Sequence, residues 1–255
     1  MIIKTKAIVV KEYIVGESDK YVTLFTKEYG KLQVLAPKAK KVEKGFASAT
    51  QLFVYGDFIL TSYKDTYRMV NAEIIEMFHG IREDLERLSY ASYVMEFVQY
   101  VTEPMLAQPE LLRLTLVTLQ ALARKELECP LIRRIFELRA LKELGFGVQM
   151  VACLECGEVI EENDDENYYF SAEAGGLVCK SCKSYYKDLL EISYGTRYTV
   201  AYIMNVAMKA LYHFQITEVI QKQLSLVCES YIPYYVDKSF KTLEFIDKVE
   251  SLAMK

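Results

Sequence analysis

The chain has 255 residues, of which 52% are apolar and 26% are charged, and its formal net charge is −4. This composition excludes a disordered chain, and the length suffices for one large domain or two ordinary ones. No stretch reaches the roughly 18 uninterrupted apolar residues of a membrane helix, and lysines interrupt the apolar N-terminal segment, unlike in a signal peptide. We therefore expect a cytoplasmic protein whose cysteines are reduced or metal-bound.

The charge is unevenly distributed along the chain. Lys and Arg outnumber Asp and Glu in the first 80 residues, whereas acidic residues outnumber basic ones in the rest of the sequence. A protein surface that contacts a phosphate backbone needs an excess of positive charge. The N-terminal third is therefore the better candidate for such a contact.

Five short runs in the first 75 residues are typical of β-strands, because they are rich in Ile, Val and aromatic residues and are bounded by turn-forming residues. They cover residues 2–12, 19–27, 32–36, 51–63 and 66–76. Five strands in so short a segment predict a small Greek-key barrel such as the OB-fold. SH3-like barrels and simple meanders have the same number of strands and remain alternatives.

From about residue 80, apolar residues recur at spacings of three and four, as they do in helices. Pro104 follows the first predicted helix, and Pro109 and Pro130 begin the next two. Further helices are predicted over residues 197–214, 217–232 and 239–252. The pattern predicts an α+β protein with two domains, a five-stranded barrel over residues 1–78 and an all-helical domain over residues 79–255.

Four of the six cysteines form two pairs with metal-ligand spacing, Cys153-Leu-Glu-Cys156 and Cys179-Lys-Ser-Cys182. Two intervening residues allow a tight turn that aims both thiolates at one ion, and four thiolates supply the tetrahedral sulfur set that zinc prefers. The pattern predicts one structural Zn²⁺ in a zinc-finger module at about residues 150–186, inserted in the helical domain. Free buried cysteines and an iron–sulfur cluster are the alternatives.

A lysine-rich loop follows the third predicted strand and is the best candidate for binding DNA phosphates, since clustered lysines give affinity without reading sequence. Its lysines are Lys38, Lys40, Lys41 and Lys44. Nearby aromatic side chains could stack on single-stranded bases. They include Tyr21, Phe25, Tyr29 and Phe46.

The sequence contains no enzyme signature. It has no Gly-rich phosphate loop ending in Lys-Ser/Thr, no G-x-G-x-x-G and no G-x-S-x-G. We therefore predict no catalytic residue and no small-molecule substrate. The sequence leaves three hypotheses: a nucleic-acid-binding protein, a protein-interaction adaptor with little direct DNA affinity, and a metal-dependent hydrolase, which would need an open metal site that four thiolates do not leave.

Three ordered stretches resemble the RecO family of bacterial DNA repair and recombination proteins. They are GESDKYVTLFTKEYGKLQVLAPKAKK (16–41), FELRALKELGF (136–146) leading into CLECG, and FSAEAGGLVCKSC (170–182). The resemblance spans about residues 1–190. The chain departs from the family in its basic loop, which is typically rich in arginine, whereas here the loop has lysines and Glu43. Lysine lacks the bidentate phosphate fork of arginine.

The resemblance implies an N-terminal OB-fold and a helical C-terminal domain carrying a four-cysteine zinc finger. It also implies a non-enzymatic protein that binds single- and double-stranded DNA and anneals complementary strands. The implied partners are RecR and the acidic C-terminal tail of single-strand-binding protein, with which the family helps to load the recombinase onto coated DNA. The implied location is the bacterial cytoplasm, at the nucleoid during repair.

Overall fold

Alternating apolar residues form a closed five-stranded barrel in the computed structural model, which describes residues 1–40, 46–64, 66–160 and 168–253. The strands are β1 (Ile2–Val15), β2 (Asp19–Thr26), β3 (Gly30–Ala36), β4 (Tyr55–Tyr63) and β5 (Thr66–Glu76). Their order around the barrel is β1-β2-β3-β5-β4, and only the β3–β5 pair is parallel. The barrel interior is filled by Val22, Leu24, Val34, Phe58 and Leu60, among others. The predicted five-stranded OB-fold barrel is confirmed.

The predicted strand over residues 51–63 begins later than expected, at Tyr55. Phe53 has a φ angle of 71° and is almost completely buried, so the chain turns before the strand starts. The turn is held by two backbone hydrogen bonds, from the N–H of Phe53 to the carbonyl of Val9 (3.0 Å) and from the N–H of Val9 to the carbonyl of Val54 (2.9 Å). The apolar side chain of Phe53 therefore contributes to the core rather than to a strand.

The chain packs as two units, Met1–Lys125 together with Phe240–Lys255, and Glu126–Ser239. Besides the barrel, the first unit contains the helices α1 (His79–Arg82), α2 (Leu85–Val101) and α3 (Pro109–Arg124). Asp84 caps α2 by accepting a hydrogen bond from the N–H of Arg87, and Pro109 occupies the first turn of α3, where its missing N–H costs nothing. α2 packs against β1, and α3 packs against β2.

The second unit is built on the helices α4 (Cys129–Glu143), α5 (Tyr194–Asn205) and α6 (Glu218–Tyr231). A three-stranded sheet lies between α4 and α5 in the sequence, in the order β7-β6-β8, with β6 (Tyr168–Ser171), β7 (Gly176–Val178) and β8 (Leu189–Ile192). The 3₁₀-helices are Lys183–Tyr185, Met208–Ala210 and Ile232–Tyr234. The helices that follow the barrel and the cysteine module between them confirm the predicted fold class, while the domain boundary at residue 78 stays a prediction.

The remaining helix, α7 (Lys241–Ala253), packs on α2 in the first unit. Phe240, just before α7, packs against Tyr93 and Phe97 at ring-centroid distances of 5.4 and 5.8 Å. Glu96 accepts hydrogen bonds from the N–H and the hydroxyl of Thr242 (3.2 and 2.8 Å). The first unit is therefore assembled from two separate segments of sequence.

One predicted helix, residues 197–214, is wrong in its second half. α5 ends at Asn205 and is followed only by the short 3₁₀-helix Met208–Ala210. The guanidinium of Arg139 on α4 donates to the carbonyls of Ile203, Met204 and Val206 at 2.8–3.1 Å, so the carbonyls at the end of α5 bond to a side chain from another helix. In the part of the chain that the structure describes, no helix combines the length and apolar character needed to cross a bilayer.

Candidate metal centre and nucleic-acid interface

The first cysteine pair lies on a tight turn after α4. The N–H of Gly157 donates to the carbonyl of Cys153 (2.9 Å), and the N–H of Cys153 donates to the carbonyl of Glu158 (2.8 Å). Gly157 has a φ angle of 76°, a conformation that glycine adopts without steric cost. These bonds close the turn and place the side chains of Cys153 and Cys156 on the same side.

The second cysteine pair directly follows β7. The N–H of Cys182 donates to the carbonyl of Cys179 (3.1 Å), and the N–H of Tyr185 donates to the carbonyl of Cys182 (3.0 Å), at the start of the 3₁₀-helix Lys183–Tyr185. The second turn is therefore also closed by backbone hydrogen bonds, across three residues rather than four. Tyr186, at the end of this 3₁₀-helix, donates its hydroxyl to the carboxylate of Glu155 in the first turn (2.8 Å).

A close backbone contact holds the two turns together. The N–H of Leu177 donates to the carbonyl of Gln149 (3.0 Å), the N–H of Gln149 donates to the carbonyl of Gly175 (3.1 Å), and the N–H of Leu154 donates to the carbonyl of Leu177 (3.0 Å). At Gly176 a Cβ atom would lie 2.2 Å from the carbonyl oxygen of Gln149. Glycine is therefore required at position 176 for the two segments to approach this closely.

The four thiols meet at one point. The Sγ atoms of Cys153, Cys156, Cys179 and Cys182 all lie within 4.8 Å of one another, and those of Cys156 and Cys179 are 3.8 Å apart. A tetrahedral ion with Zn–S bonds of about 2.3 Å would separate its sulfurs by about 3.8 Å. Cys153 and Cys182 are buried, Cys179 is half-buried and Cys156 is exposed. The donor set and its spacing fit a metal ion held by four sulfurs.

The surroundings of the cluster favour a thiolate. Burial opposes ionisation of the Cys153 thiol, but backbone N–H groups of Cys156, Cys179 and Glu155 donate to its sulfur and lower its pKa to about 6. Burial and the neighbouring thiols raise the pKa of Cys182. The backbone donors thus favour the thiolate form of Cys153, which is the form that a cation binds.

A buried arginine fixes the finger module to α5. Arg197 donates from Nε to the carbonyl of Met150 (3.1 Å) and from Nη2 to the carbonyl of Ile160 (2.8 Å), and its guanidinium lies 4.6 Å from the ring centroid of Tyr168. Its side chain is only 5% exposed. Sequence reasoning missed this residue, because an arginine in a helix gives no signal of a partner some 40 residues earlier.

Two of the four predicted DNA-binding lysines lie in the described part of the loop after β3. Lys38 and Lys40 are exposed, while Ala39 between them is buried in the barrel core. The N–H of Lys38 donates to the carboxylate of Asp19 (2.8 Å), and the N–H of Lys40 donates to the carbonyl of Ser18 (3.0 Å). The start of the loop is therefore tied to the β1–β2 turn. Lys41 and Lys44 lie outside the described residues.

The predicted aromatic residues differ in exposure. Phe25 is completely buried, and Tyr29 and Phe46 pack against the barrel core. Tyr21 is half-exposed and stacks on Tyr13, which sequence reasoning did not select. Of the four predicted stacking residues, Tyr21 is thus the one whose ring lies in an open aromatic pair on the barrel surface.

Comparison with known proteins accounts for nearly the whole chain. A family model described as the N-terminal part of recombination protein O matches residues 1–78, and one described as its C-terminal part matches residues 82–244. The chain belongs to the RecO family of DNA repair proteins. The resemblance inferred from the three sequence motifs is thereby confirmed.

Individual RecO relatives align over their full lengths. Two proteins named DNA repair protein RecO, from Acetivibrio thermocellus and Alkaliphilus metalliredigens, are 32% and 30% identical to this chain over 250 residues, covering 98% of this chain and 98% and 100% of the relatives. A third, from Thermoanaerobacter sp. (strain X514), is 28% identical over 251 residues and covers 98% of this chain and 99% of its own. The barrel, the helices and the cysteine cluster therefore belong to a RecO-family chain.

Proposed function

We propose that this chain is a non-enzymatic DNA-binding protein of recombinational repair, which anneals single strands and helps to load the recombinase onto DNA coated by single-strand-binding protein. The proposal rests on the exposed Lys38 and Lys40, which project from a backbone tied to the closed barrel. A small barrel with a basic rim is suited to hold a phosphate backbone without reading bases.

The anchoring of the loop matters for this role. Because the Lys38 and Lys40 amides are bonded to Asp19, the first residue of β2, and to Ser18 in the β1–β2 turn, the two ammonium groups start from fixed backbone positions. The loop backbone therefore loses less conformational entropy on binding phosphate than a free loop would. Lys41 and Lys44 continue the same basic segment in the sequence and are included in the proposal.

The thiols of Cys153, Cys156, Cys179 and Cys182 are proposed to hold one structural Zn²⁺. Four sulfur donors complete a tetrahedral shell, so the ion would join the two turns and supply folding free energy rather than activate water. Purified wild-type protein should contain about one zinc per chain by elemental analysis. The Cys153→Ser variant should lose the zinc. The Cys228→Ala variant, which changes a buried cysteine of α6, should retain it. A zinc content of Cys153→Ser equal to that of the wild type would refute the assignment.

The proposed partners follow from membership of the family. They are single- and double-stranded DNA, RecR and the C-terminal tail of single-strand-binding protein, with the protein acting in the bacterial cytoplasm at the nucleoid. The proposed division of labour is DNA binding by the barrel domain, residues 1–78, and partner docking by the helical domain, residues 79–255. The acidic balance of the helical domain favours its being a protein-docking rather than a DNA-binding surface.

The test is the salt dependence of single-stranded DNA binding. A variant with Lys38, Lys40, Lys41 and Lys44 changed to Ala should bind more weakly, and the slope of log affinity against log salt should fall by about 0.7 for each lost phosphate contact. The matched control changes four exposed lysines of the second unit, Lys180, Lys187, Lys209 and Lys222, to Ala and so removes the same charge. We expect the control to bind nearly as the wild type.

Two outcomes would contradict the proposal. Equal losses in the loop variant and the control would indicate net charge alone and would remove the loop assignment. No binding by the wild type, together with no acceleration of strand annealing, would favour the adaptor hypothesis, in which partners bring the protein to DNA.

A further inference from the structure

Two tyrosines form an open aromatic pair on the outer face of the barrel. Tyr13 on β1 lies directly opposite Tyr21 on β2, and their rings stack with centroids 5.6 Å apart and planes inclined by 24°. Tyr13 is 39% exposed and Tyr21 is half-exposed. The row of residues that contains this pair extends across the sheet. Tyr21 lies opposite Leu35 on β3, and Leu35 lies opposite Arg68 on β5.

Further along the same two strands, this face is covered. Ile8 and Phe25 form the equivalent cross-strand pair further along β1 and β2, and both are completely buried. α2 packs on β1 and α3 packs on β2, both within the first unit. The helices thus end before Tyr13 and Tyr21 and leave two adjacent aromatic rings open to solvent, as a ligand-binding surface requires.

The hydroxyl of Tyr13 is also held in place. It accepts a hydrogen bond from the amide of Gln33, an exposed residue of β3. The Tyr13 ring is therefore fixed from one side by Tyr21 and at its edge by Gln33. A ring fixed before binding offers a flat apolar face at low entropic cost.

Positive charge surrounds the pair. Lys11 lies one pleat from Tyr13 on β1, Arg68 lies on β5, and both are exposed, as are Lys38 and Lys40 on the adjoining loop. The acidic residues of β1, β2 and the turn between them are Glu12, Glu17 and Asp19. Glu12 forms an ion pair with Lys20, and Asp19 accepts a hydrogen bond from the Lys38 N–H. Aromatic faces within a basic surface are the combination that binds single-stranded nucleic acid.

We propose that Tyr13 and Tyr21 form a stacking platform for the bases of single-stranded DNA, with Lys11, Lys38, Lys40 and Arg68 holding the phosphates. This inference rests on the proposed DNA binding, and it assigns the preference for single strands to Tyr13 and Tyr21. Bases in a duplex are already stacked and cannot lie on a protein ring, whereas unpaired bases can. The platform would favour single strands of any sequence, because every base has a π-face.

The test compares a dT oligonucleotide with an abasic oligonucleotide of the same length and phosphate number. Wild type should bind the dT strand about tenfold more tightly than the abasic strand. Tyr13→Ala and Tyr21→Ala should lose most of that preference while keeping their affinity for the abasic strand. Tyr13→Phe, which keeps the ring, should behave as the wild type. Tyr185→Ala, at a tyrosine that is 72% exposed in the second unit, is the matched control.

The outcomes separate this inference from the proposed function. Wild type binding both strands equally well would overturn the platform and leave DNA binding through phosphates intact. The platform would also be overturned if either alanine variant lost equal affinity for the dT strand and the abasic strand. The tyrosines would then stabilise the barrel surface without stacking on bases. Failure of the wild type to bind either strand would overturn the proposed DNA binding, and the platform with it.

Discussion

Gly176→Ala tests how closely the two cysteine turns must approach. The added Cβ would lie 2.2 Å from the carbonyl oxygen of Gln149 and 3.0 Å from a methyl group of Leu154. The first contact is with backbone, so no side-chain rotation can relieve it. The segment would have to move away from Gln149, with loss of the hydrogen bonds from Leu177 to Gln149 and from Gln149 to Gly175.

The expected cost follows from these contacts. Overpacking in a tight site costs about 1–3 kcal/mol, and each lost backbone hydrogen bond costs about 1 kcal/mol. Gly176→Ala should therefore lower the free energy of unfolding of the second unit by about 3–5 kcal/mol. Since binding of the proposed zinc ion would be coupled to folding of the turns, the apparent zinc affinity should fall about 100-fold or more. Urea denaturation measures the first quantity, and competition with a chromophoric chelator measures the second.

Gly175→Ala is the matched control. Its Cβ would meet nothing nearer than 3.7 Å, but the residue has a φ angle of 84°, so a loss of only about 1 kcal/mol is expected from the left-handed backbone. The steric reasoning is refuted if Gly176→Ala is no less stable than Gly175→Ala. If Gly176→Ala bound zinc as tightly as the wild type, the close approach of position 176 to Gln149 would not be needed for metal binding. The proposed coupling between folding of the turns and zinc affinity would then be refuted.

Three further predictions concern other parts of the chain. Arg197→Met should destabilise the second unit by about 3–5 kcal/mol, because it leaves the buried carbonyl of Met150 and the partly buried carbonyl of Ile160 without their charged donor. Arg197→Lys should recover at most part of this in urea denaturation. Hydrogen bonds from the Lys38 N–H and from a neighbouring serine lower the pKa of Asp19 below its ordinary 3.8. These hydrogen bonds stabilise the loop at neutral pH, and this stabilisation is lost as the pH falls through the lowered pKa of Asp19. The chemical shift of the Lys38 amide in NMR spectra should therefore titrate with a midpoint below pH 3.8. A midpoint at or above that value would contradict the contact. Phe240→Ala should cost the first unit about 3–5 kcal/mol in thermal or urea unfolding, whereas an unchanged stability would show that α7 contributes little.

The sequence was sufficient for those features that depend on local pattern. The barrel strands alternate apolar and polar residues, so their number and approximate positions could be read directly. Spacing alone predicted the cysteine cluster, because two residues between cysteines dictate a turn that aims both sulfurs the same way. Pro109 and Pro130 located the beginnings of α3 and α4 to within a residue, since proline is favoured in the first helical turn.

Features that depend on distant partners could not be predicted. α5 ends where Arg139 of α4 bonds to its last carbonyls, and no periodicity within residues 197–214 records that contact. Phe25 and Tyr21 occupy the same face of β2, yet one is buried and the other is half-exposed, because helices cover only part of the strand. β8 is only four residues long and was missed, since its pairing with β6 rather than its composition defines it.

The two-segment construction of the first unit has a consequence for synthesis on the ribosome. Tyr93 and Phe97 of α2 receive Phe240 and α7 only after residues 126–239 have been translated. At bacterial elongation rates this delay is on the order of ten seconds. Throughout that time Tyr93 and Phe97 lack their contacts with Phe240, so apolar surface of α2 is open to chaperones. The second unit, being continuous in sequence, is free to fold. The unit that leaves the ribosome first is therefore the one completed last.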